Sequence, residues 1–355
     1  MSVSDVDPVR QEAFAGRMIS ILNDACLAFL ASVGHQTGLF DTMAALPPST
    51  SDDIARASGL NERYVREWLG GMVVGGFVEY SPETATYVLP PEHAASLTEA
   101  AGPANLAGMT QYMALMGEVE QRIVGAFRRG GGVSYSAYPR FQALQAEESG
   151  RVWDAALVDA VVPLVPGLTE RLLAGIDVLD VGTGQGHAVN VLARAFPRSR
   201  FRGVDISAQG IAAARHEADG LGLDNAEFAV VDAADPLGSY DLITAFDVIH
   251  DMAQPTRTLA AVSDALREDG VFLMGEIAAS SNLEENIDHP MGPTLYAFSV
   301  FYCMTVSLGE GGEGLGTVWG EQAARQKLAE AGFADIRAHT LPDDFVNVYY
   351  VARNA

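Results

Sequence analysis

Three glycines spaced two apart, Gly182, Gly184 and Gly186, follow an apolar run that ends in an aspartate: VLDVGTGQGH, residues 178–187. Glycine at such a turn removes the side chains that would keep a ligand off the main chain. The stretch therefore reads as a backbone cradle, with Asp180 before it and Thr183 within it. Two further acids close the next two apolar runs, Asp205 in FRGVDIS and Asp232 in AEFAVVDA. A carboxylate at Asp205 can accept hydrogen bonds from both hydroxyls of a ribose, and Asp232 is expected within reach of an adenine amino group. The fourth run, YDLITAFDVIHD, ends on His250 and Asp251. An imidazole with an ordinary pKa of about 6.5 is suited to taking a proton from a hydroxyl. His250 has two other readings: a structural histidine at a helix start, or a metal ligand with Asp251 and the distant His289. A dinucleotide fingerprint needs glycine where this chain has His187, which disfavours that ligand class.

These residues need a frame. From Ile176 onward, short apolar runs alternate with helical stretches, a rhythm that predicts a doubly wound parallel sheet with helices on both faces. Ligands of such sheets sit beyond the carboxyl ends of the strands, where the strand order reverses, and the glycine turn and the acids belong there. Upstream, Phe14, Met18, Ile21, Leu22, Ala25 and Phe29 recur at helical spacing and make one oily face. Residues 35–90 then read as helix, turn, helix and a two-stranded wing around FVEY and TYVL, a winged helix. The expected division is 1–100 for the winged-helix domain, 101–165 for a helical linker with a pocket-covering loop, and 166–355 for the ligand-binding domain. In the middle part, RRGGGVSYSAYPRF is either a mobile loop carrying Tyr135, Tyr138 and Phe141 over a pocket or a set of ordinary packing aromatics. Residues 288–320, poor in charge and rich in aromatics, are expected to line an apolar acceptor pocket.

The totals exclude several classes. Net charge is -24, from 46 acids and 22 bases, where a nucleic-acid binder needs cations to displace counterions from phosphates. The winged-helix stretch 35–90 itself holds three arginines against seven acids. The apolar run at 25–33 falls short of the roughly 20 residues of a bilayer span, so no membrane segment is expected. The start of the chain lacks the pattern of a secretory signal, and a cytoplasmic protein is expected. Cys26 and Cys303 form neither a disulfide framework nor a zinc pattern, and no metal is expected.

LDVGTGQG, GVDIS, VVDA and YDLITAFDVIHD resemble, in that order, the motifs of the class I S-adenosylmethionine-dependent methyltransferases, over about residues 170–355. The resemblance implies an α/β fold with a Rossmann-like seven-stranded sheet whose last strand, VNVYYVAR, is antiparallel. It implies S-adenosyl-L-methionine as cofactor, with the glycine turn (Asp180, Gly182, Thr183, Gly184, Gly186) against its methionine part. Asp205 and Ile206 then stand at the ribose, Asp232 and Ala233 border the adenine, and Phe246, Tyr135 and Phe141 complete the cofactor set. The whole chain resembles bacterial small-molecule methyltransferases whose α-helical winged domain makes a homodimer and helps wall the pocket. Residues 286–322 are similar to a subgroup labelled, by that domain, as regulators. In the related plant-type O-methyltransferases an HDW motif supplies a histidine general base; here His250 and Asp251 match and Met252 departs.

The expected function is methyl transfer to a small, apolar or aromatic acceptor, on oxygen, with His250 as base and Asp251 beside it. The alternatives are a ligand-sensing winged-helix transcriptional regulator, a metal-assisted C-methyltransferase of a 2-oxo acid, and a cofactor-binding fold with a non-transfer reaction. The expected partners are the small-molecule acceptor and a second copy of the chain, with neither nucleic acid nor membrane.

Overall fold

The computed structural model describes residues 6–342 and 344–355, in two compact units that divide between Leu115 and Met116. The first begins with a 29-residue helix, α1 (Pro8–Gln36), whose first turn is capped by the Asp7 carboxylate accepting from Val9 N at 2.9 Å. There follow α2 (Leu39–Ala44), α3 (Ser51–Ser58) and α4 (Glu62–Val74). Thr50 and Asn61 cap the last two, and Gly59, at φ +70°, ends α3 in the left-handed conformation that stops a helix. Strands β1 (Glu79–Ser81) and β2 (Thr86–Val88) pair antiparallel as a wing, and the short helices α5 (Pro91–Ala94) and α6 (Leu106–Met109) complete the unit. Phe40, Ile54, Leu69 and Met72 form its dry centre, with the Trp68 ring edge-on to Phe40 at 5.3 Å.

Most of α1 lies bare: Phe14, Met18, Ile21, Leu22 and Phe29 are exposed. By length and composition alone this helix is apolar enough to cross a membrane, a longer apolar stretch than the run at 25–33 indicates. The run at 25–33 is extended by Met18–Leu22, and only Asn23 and Asp24 stand between the two.

The unit boundary falls inside α7 (Gln111–Arg129), so the segment expected as a linker is shared between the two units. The second unit continues with α8 (Phe141–Ala156) and α9 (Leu168–Ala174). Its sheet is built from β3 (Asp177–Val181), β4 (Arg200–Asp205), β5 (Ala226–Val230), β6 (Tyr240–Phe246), β7 (Leu266–Ile277), β8 (Phe333–Leu341) and β9 (Asp344–Asn354). Between strands lie α10 (His187–Ala195), α11 (Ala208–Leu221), α12 (Pro255–Ala265), α13 (Gly292–Phe298), α14 (Met304–Gly309) and α15 (Gly320–Glu330). The strand order is β5-β4-β3-β6-β7-β9-β8, with β3 to β7 parallel and β9 antiparallel to both of its neighbours. The last strand is thus antiparallel, as expected, and is inserted between β7 and β8. Alternate residues of β3 serve opposite layers: Val178 packs with Leu172, Leu192 and Phe201, Leu179 with Ile243, Phe272 and Tyr350. Strand order reverses at β3, and the glycine turn follows it directly.

Truncating the fully buried Phe40 to alanine is expected to cost about 3–5 kcal/mol. Denaturant unfolding of the full chain followed by tryptophan fluorescence measures it, and a cost under about 1 kcal/mol contradicts the packing described.

Candidate functional site

The three glycines of the turn all have positive φ, +70° at Gly182, +55° at Gly184 and +76° at Gly186, but for different ends. A Cβ at Gly182 would stand 2.4 Å from Val248, and one at Gly186 2.5 Å from Ala214 and 2.6 Å from Phe228. These two are internal packing requirements. A Cβ at Gly184 would meet nothing within 4 Å. Its amide donates to Asp205 Oδ2 at 2.9 Å, while Asp205 Oδ1 accepts from Ser207 N at 2.7 Å. The carboxylate at the end of β4 thereby fixes the half-buried crest of the turn. Burial lifts the Asp205 pKa, and its main-chain donors oppose the lift. Beneath the turn Asp180 is 5% exposed and accepts from Thr244 Oγ1 at 2.6 Å; burial pushes its pKa up to about 6. Asp180 supports the turn from below.

The remaining expected cofactor residues are distributed along the same rim. Ile206 is 65% exposed beside Asp205. Asp232 Oδ1 accepts from Ala234 N at 2.9 Å and shapes the loop after β5, in which Ala233 is buried. The Phe246 ring lies 4.7 Å from that of Trp153 on α8. His187, where a dinucleotide fingerprint has glycine, is held between Glu217 Oε1 at 2.6 Å and Asp154 Oδ1 at 3.1 Å.

The glycine-rich segment before α8 is anchored. A Cβ on Gly132 would fall 1.9 Å from Thr305 O. Val133 N donates to Thr305 O at 3.0 Å, and Tyr138 Oη to Phe301 O at 2.5 Å. Phe141 stacks on Tyr302 with centroids 3.3 Å apart. Of the two readings of these aromatics, packing describes Tyr138 and Phe141. Tyr135, whose ring lies 6.4 Å from that of Tyr302, has its hydroxyl pKa raised by burial and by the charges of Asp205 and Asp251.

At the end of β6 the chain forms a single 3-10 turn, Ile249–Asp251. His250 is 2% exposed, and its Nδ1 lies 2.6 Å from Glu276 Oε2 on β7. Glu276 also accepts from Ile249 N at 2.9 Å and Trp319 Nε1 at 3.3 Å. Burial alone depresses the His250 pKa, but Glu276, with the Cys303 thiol beside the ring, carries it well above the ordinary imidazole value. Asp251 is pushed up to about 7 by burial and by the carboxylates of Asp247, Glu276 and Asp205, against the opposing pull of His250. The segment around α14 wraps this turn: Gly316 N donates to His250 O at 3.0 Å and Ser307 Oγ to Met252 O at 2.8 Å.

Sequence reasoning missed Glu276. The available signal was a lone acid in the otherwise apolar VFLMGEI, since an acid inside a buried strand needs a partner. It missed Asp247 as well, which carries no signal beyond adjacency. Among the described residues the group able to gather on a cation around His250 is Asp247 with Glu276, not Asp251 with His289. His289 Nδ1 instead accepts from Met291 N at 3.1 Å. Both Glu276 oxygens accept from N–H donors, Oε1 from Ile249 and Oε2 from His250 and Trp319, so a cation there would compete with those hydrogen bonds.

Residues 172–333 match the family model described as a methyltransferase domain, and residues 25–99 the one described as an Rv2258c-like winged HTH domain. Within the C-terminal unit, residues 172–333 thus form a methyltransferase domain; in the N-terminal unit, residues 25–99 form a winged helix-turn-helix domain. Over the whole chain the fold is similar to human N-acetylserotonin methyltransferase, solved in complex with SAM. The TM-score is 0.72, with 16% identity and 100% of both chains covered. The mitomycin 7-O-methyltransferase structure is also similar, with TM-score 0.68, 18% identity, and coverage of 98% of this chain and 100% of that one. Among curated relatives, a ribosomal protein L11 methyltransferase of Dictyoglomus turgidum is 32% identical over 111 residues, 31% of this chain. An uncharacterized protein of Synechococcus is 32% identical over 107 residues, 28% of this chain. The chain spans 36% and 26% of the length of these two relatives.

The methyltransferase domain fits the adenosyl sulfonium cofactor its fold implies. Gly184 offers bare main chain with open space above it, Asp205 retains unused lone pairs on both oxygens, and the charges acting on Asp251 come from three carboxylates and one histidine. A site of that sign favours a cationic ligand.

The different duties of the glycines give a contrast. Gly186→Ala must displace Ala214 and Phe228 and is expected to lower Tm sharply. Gly184→Ala bears only the left-handed backbone penalty of about 1–2 kcal/mol. Thermal melts of both variants check this, and equal losses contradict it.

Proposed function

We propose that the chain is an S-adenosylmethionine-dependent enzyme that methylates a hydroxyl of a small apolar or aromatic acceptor, with His250 as general base. The observation that carries this reading is the buried His250–Glu276 pair one turn beyond β6, on the rim that holds the Gly184–Asp205 cradle. The turn and Asp205 would hold the methionine and ribose parts, and Asp232 with Ala233 would border the adenine. When bound, this cofactor supplies an electrophilic methyl group on a cationic sulfur. Nδ1–H of His250 donates to Glu276, which fixes the ring orientation, and Nε2, with the Cys303 thiol hydrogen-bonded to the ring, would take the acceptor's proton in that thiol's place. The imidazolium so formed is stabilised by the same carboxylate. Tyr135 and Tyr302, whose hydroxyl pKa values burial raises further, give that side of the site an aromatic character, which suits an apolar acceptor.

A regulator reading draws support from the winged domain, yet all three arginines of residues 35–90 are already engaged. Arg56 pairs with Asp53, Arg63 with Glu67 and Arg66 with Glu62, each on its own helix. Phosphates would have to displace those acids. For the bare face of α1 a second copy of the chain is the proposed cover, and the exposed, unpaired thiol of Cys26 supports a reducing, cytoplasmic setting.

Calorimetry with S-adenosylhomocysteine is expected to give binding heat that Asp205→Ala loses by tenfold or more in affinity. No heat from the parent chain sinks the proposal. His250→Gln should keep that binding while methyl gain on a panel of phenols, read by mass spectrometry, falls by about 10²–10⁴. Because a raised pKa keeps His250 protonated at lower pH, the parent rate should climb with pH along a limb lying above about 6.5, the unperturbed imidazole value. If α1 is the dimer seam, Ile21→Asp yields monomers by light scattering; an unchanged mass rejects the seam.

A further inference from the structure

We infer that Asp247 is a second positioning carboxylate for His250, aimed at the ring by Gln145 of α8. The inference deepens the reading of His250 as base and rests on it for its meaning in catalysis. At the end of β6 Asp247 adopts φ +55°, a left-handed backbone that, among residues with a side chain, Asp and Asn adopt most readily. Its amide donates to Gly275 O at 2.8 Å, which pins this unusual conformation across to β7. The result is a carboxylate turned toward the base. Asp247 Oδ1 lies 3.9 Å from His250 Nδ1 and is enclosed without a hydrogen-bond partner, whereas Oδ2 accepts from Gln145 Nε2 at 3.1 Å. A buried acceptor with no donor is costly. What answers this one is the charge of the imidazolium.

His250 is faced by Glu276 from β7, by Asp247 and Asp251 from its own loop, and by the Cys303 thiol from the turn before α14. Glu276 accepts the Nδ1–H hydrogen bond; Asp247, too far for that bond and lifted in pKa by its burial against the pull of His250, acts on the ring by charge. Its orientation depends on α8, whose Gln142 also accepts from Ser207 Oγ beside Asp205 at 2.9 Å. One helix thus reaches both the cradle and the base.

The test is a pH titration of the full chain labelled with ¹⁵N-histidine, the His250 signals being identified by their loss in His250→Gln. Asn tolerates the left-handed backbone as Asp does, so Asp247→Asn removes the charge with the conformation kept. The His250 midpoint is expected to fall by about one pH unit, a tenfold loss of proton affinity. Gln145→Met, which leaves the charge and removes its donor, should shift it the same way by less. A midpoint within about 0.2 unit of the parent in a folded Asp247→Asn overturns the inference. Should that variant not fold, an unmoved midpoint in Gln145→Met overturns it instead. The titration needs neither cofactor nor acceptor. A shifted midpoint in a chain that transfers no methyl group would therefore keep Asp247 as the positioning group and sink His250 as base.

Discussion

A carboxylate taken out of water must be met by hydrogen-bond donors, and in the C-terminal unit that constraint is concentrated at Glu276. Its strand, β7, is flanked by β6 and β9 and is buried along nearly its whole second half. The donors come from the turn after β6, through Ile249 N and His250 Nδ1, and from the approach to α15, through Trp319 Nε1. Bonds to a charged group contribute about 1.5–3 kcal/mol each. Satisfying Glu276 therefore fixes the turn against the sheet, chooses the tautomer of His250, and ties the segment after α14 to both. The position of the His250 ring is a consequence of solvating one acid with protein.

The same site carries an electrostatic cost. Asp180 and Asp251 have pKa values lifted to about 6 and about 7, against about 3.9 for an aspartate in an unfolded chain. A carboxyl whose folded value lies above its unfolded one binds more protons when folded. Stability from these two groups is therefore greatest below about pH 4 and declines as pH rises through 6 and 7. Near neutral pH the cluster of Asp205, Asp247, Asp251 and Glu276 is answered by His250. A cationic ligand would recover part of that cost on binding, so the acidity that weakens the bare protein also selects what it holds.

Much of this frame was legible from residue order. The alternation of apolar runs gave a parallel sheet, and the acids at the ends of the runs marked its binding rim. The spacing of Gly182, Gly184 and Gly186 announced a turn, but which glycine faces open space depends on Val248 of the loop after β6, Ala214 of α11 and Phe228 of β5. Glu276 stayed hidden because its partners lie 26 and 43 residues away. The insertion of β9 between β7 and β8 is likewise a matter of pairing, to which local pattern is blind. The division of the chain inside α7 has the same cause: a continuous helical pattern carries no mark where it passes from one core to another.

The choice of side chains on α8 follows from that charge distribution. Gln142, Gln145 and Trp153 recur at steps of three and eight residues and so share the face that meets Ser207, Asp247 and Phe246. Two of the three are amides. An amide orients a carboxylate or a hydroxyl without cancelling its charge, whereas an arginine at 145 would neutralise Asp247 and repel a cationic ligand from the rim. The one arginine within α8, Arg151, pairs instead with Glu147 at 2.9 Å and Glu148 at 2.7 Å. Neutral donors toward the site and paired charges along the helix let α8 bind the acid cluster while leaving its sign intact, a charge balance that suits a positive ligand.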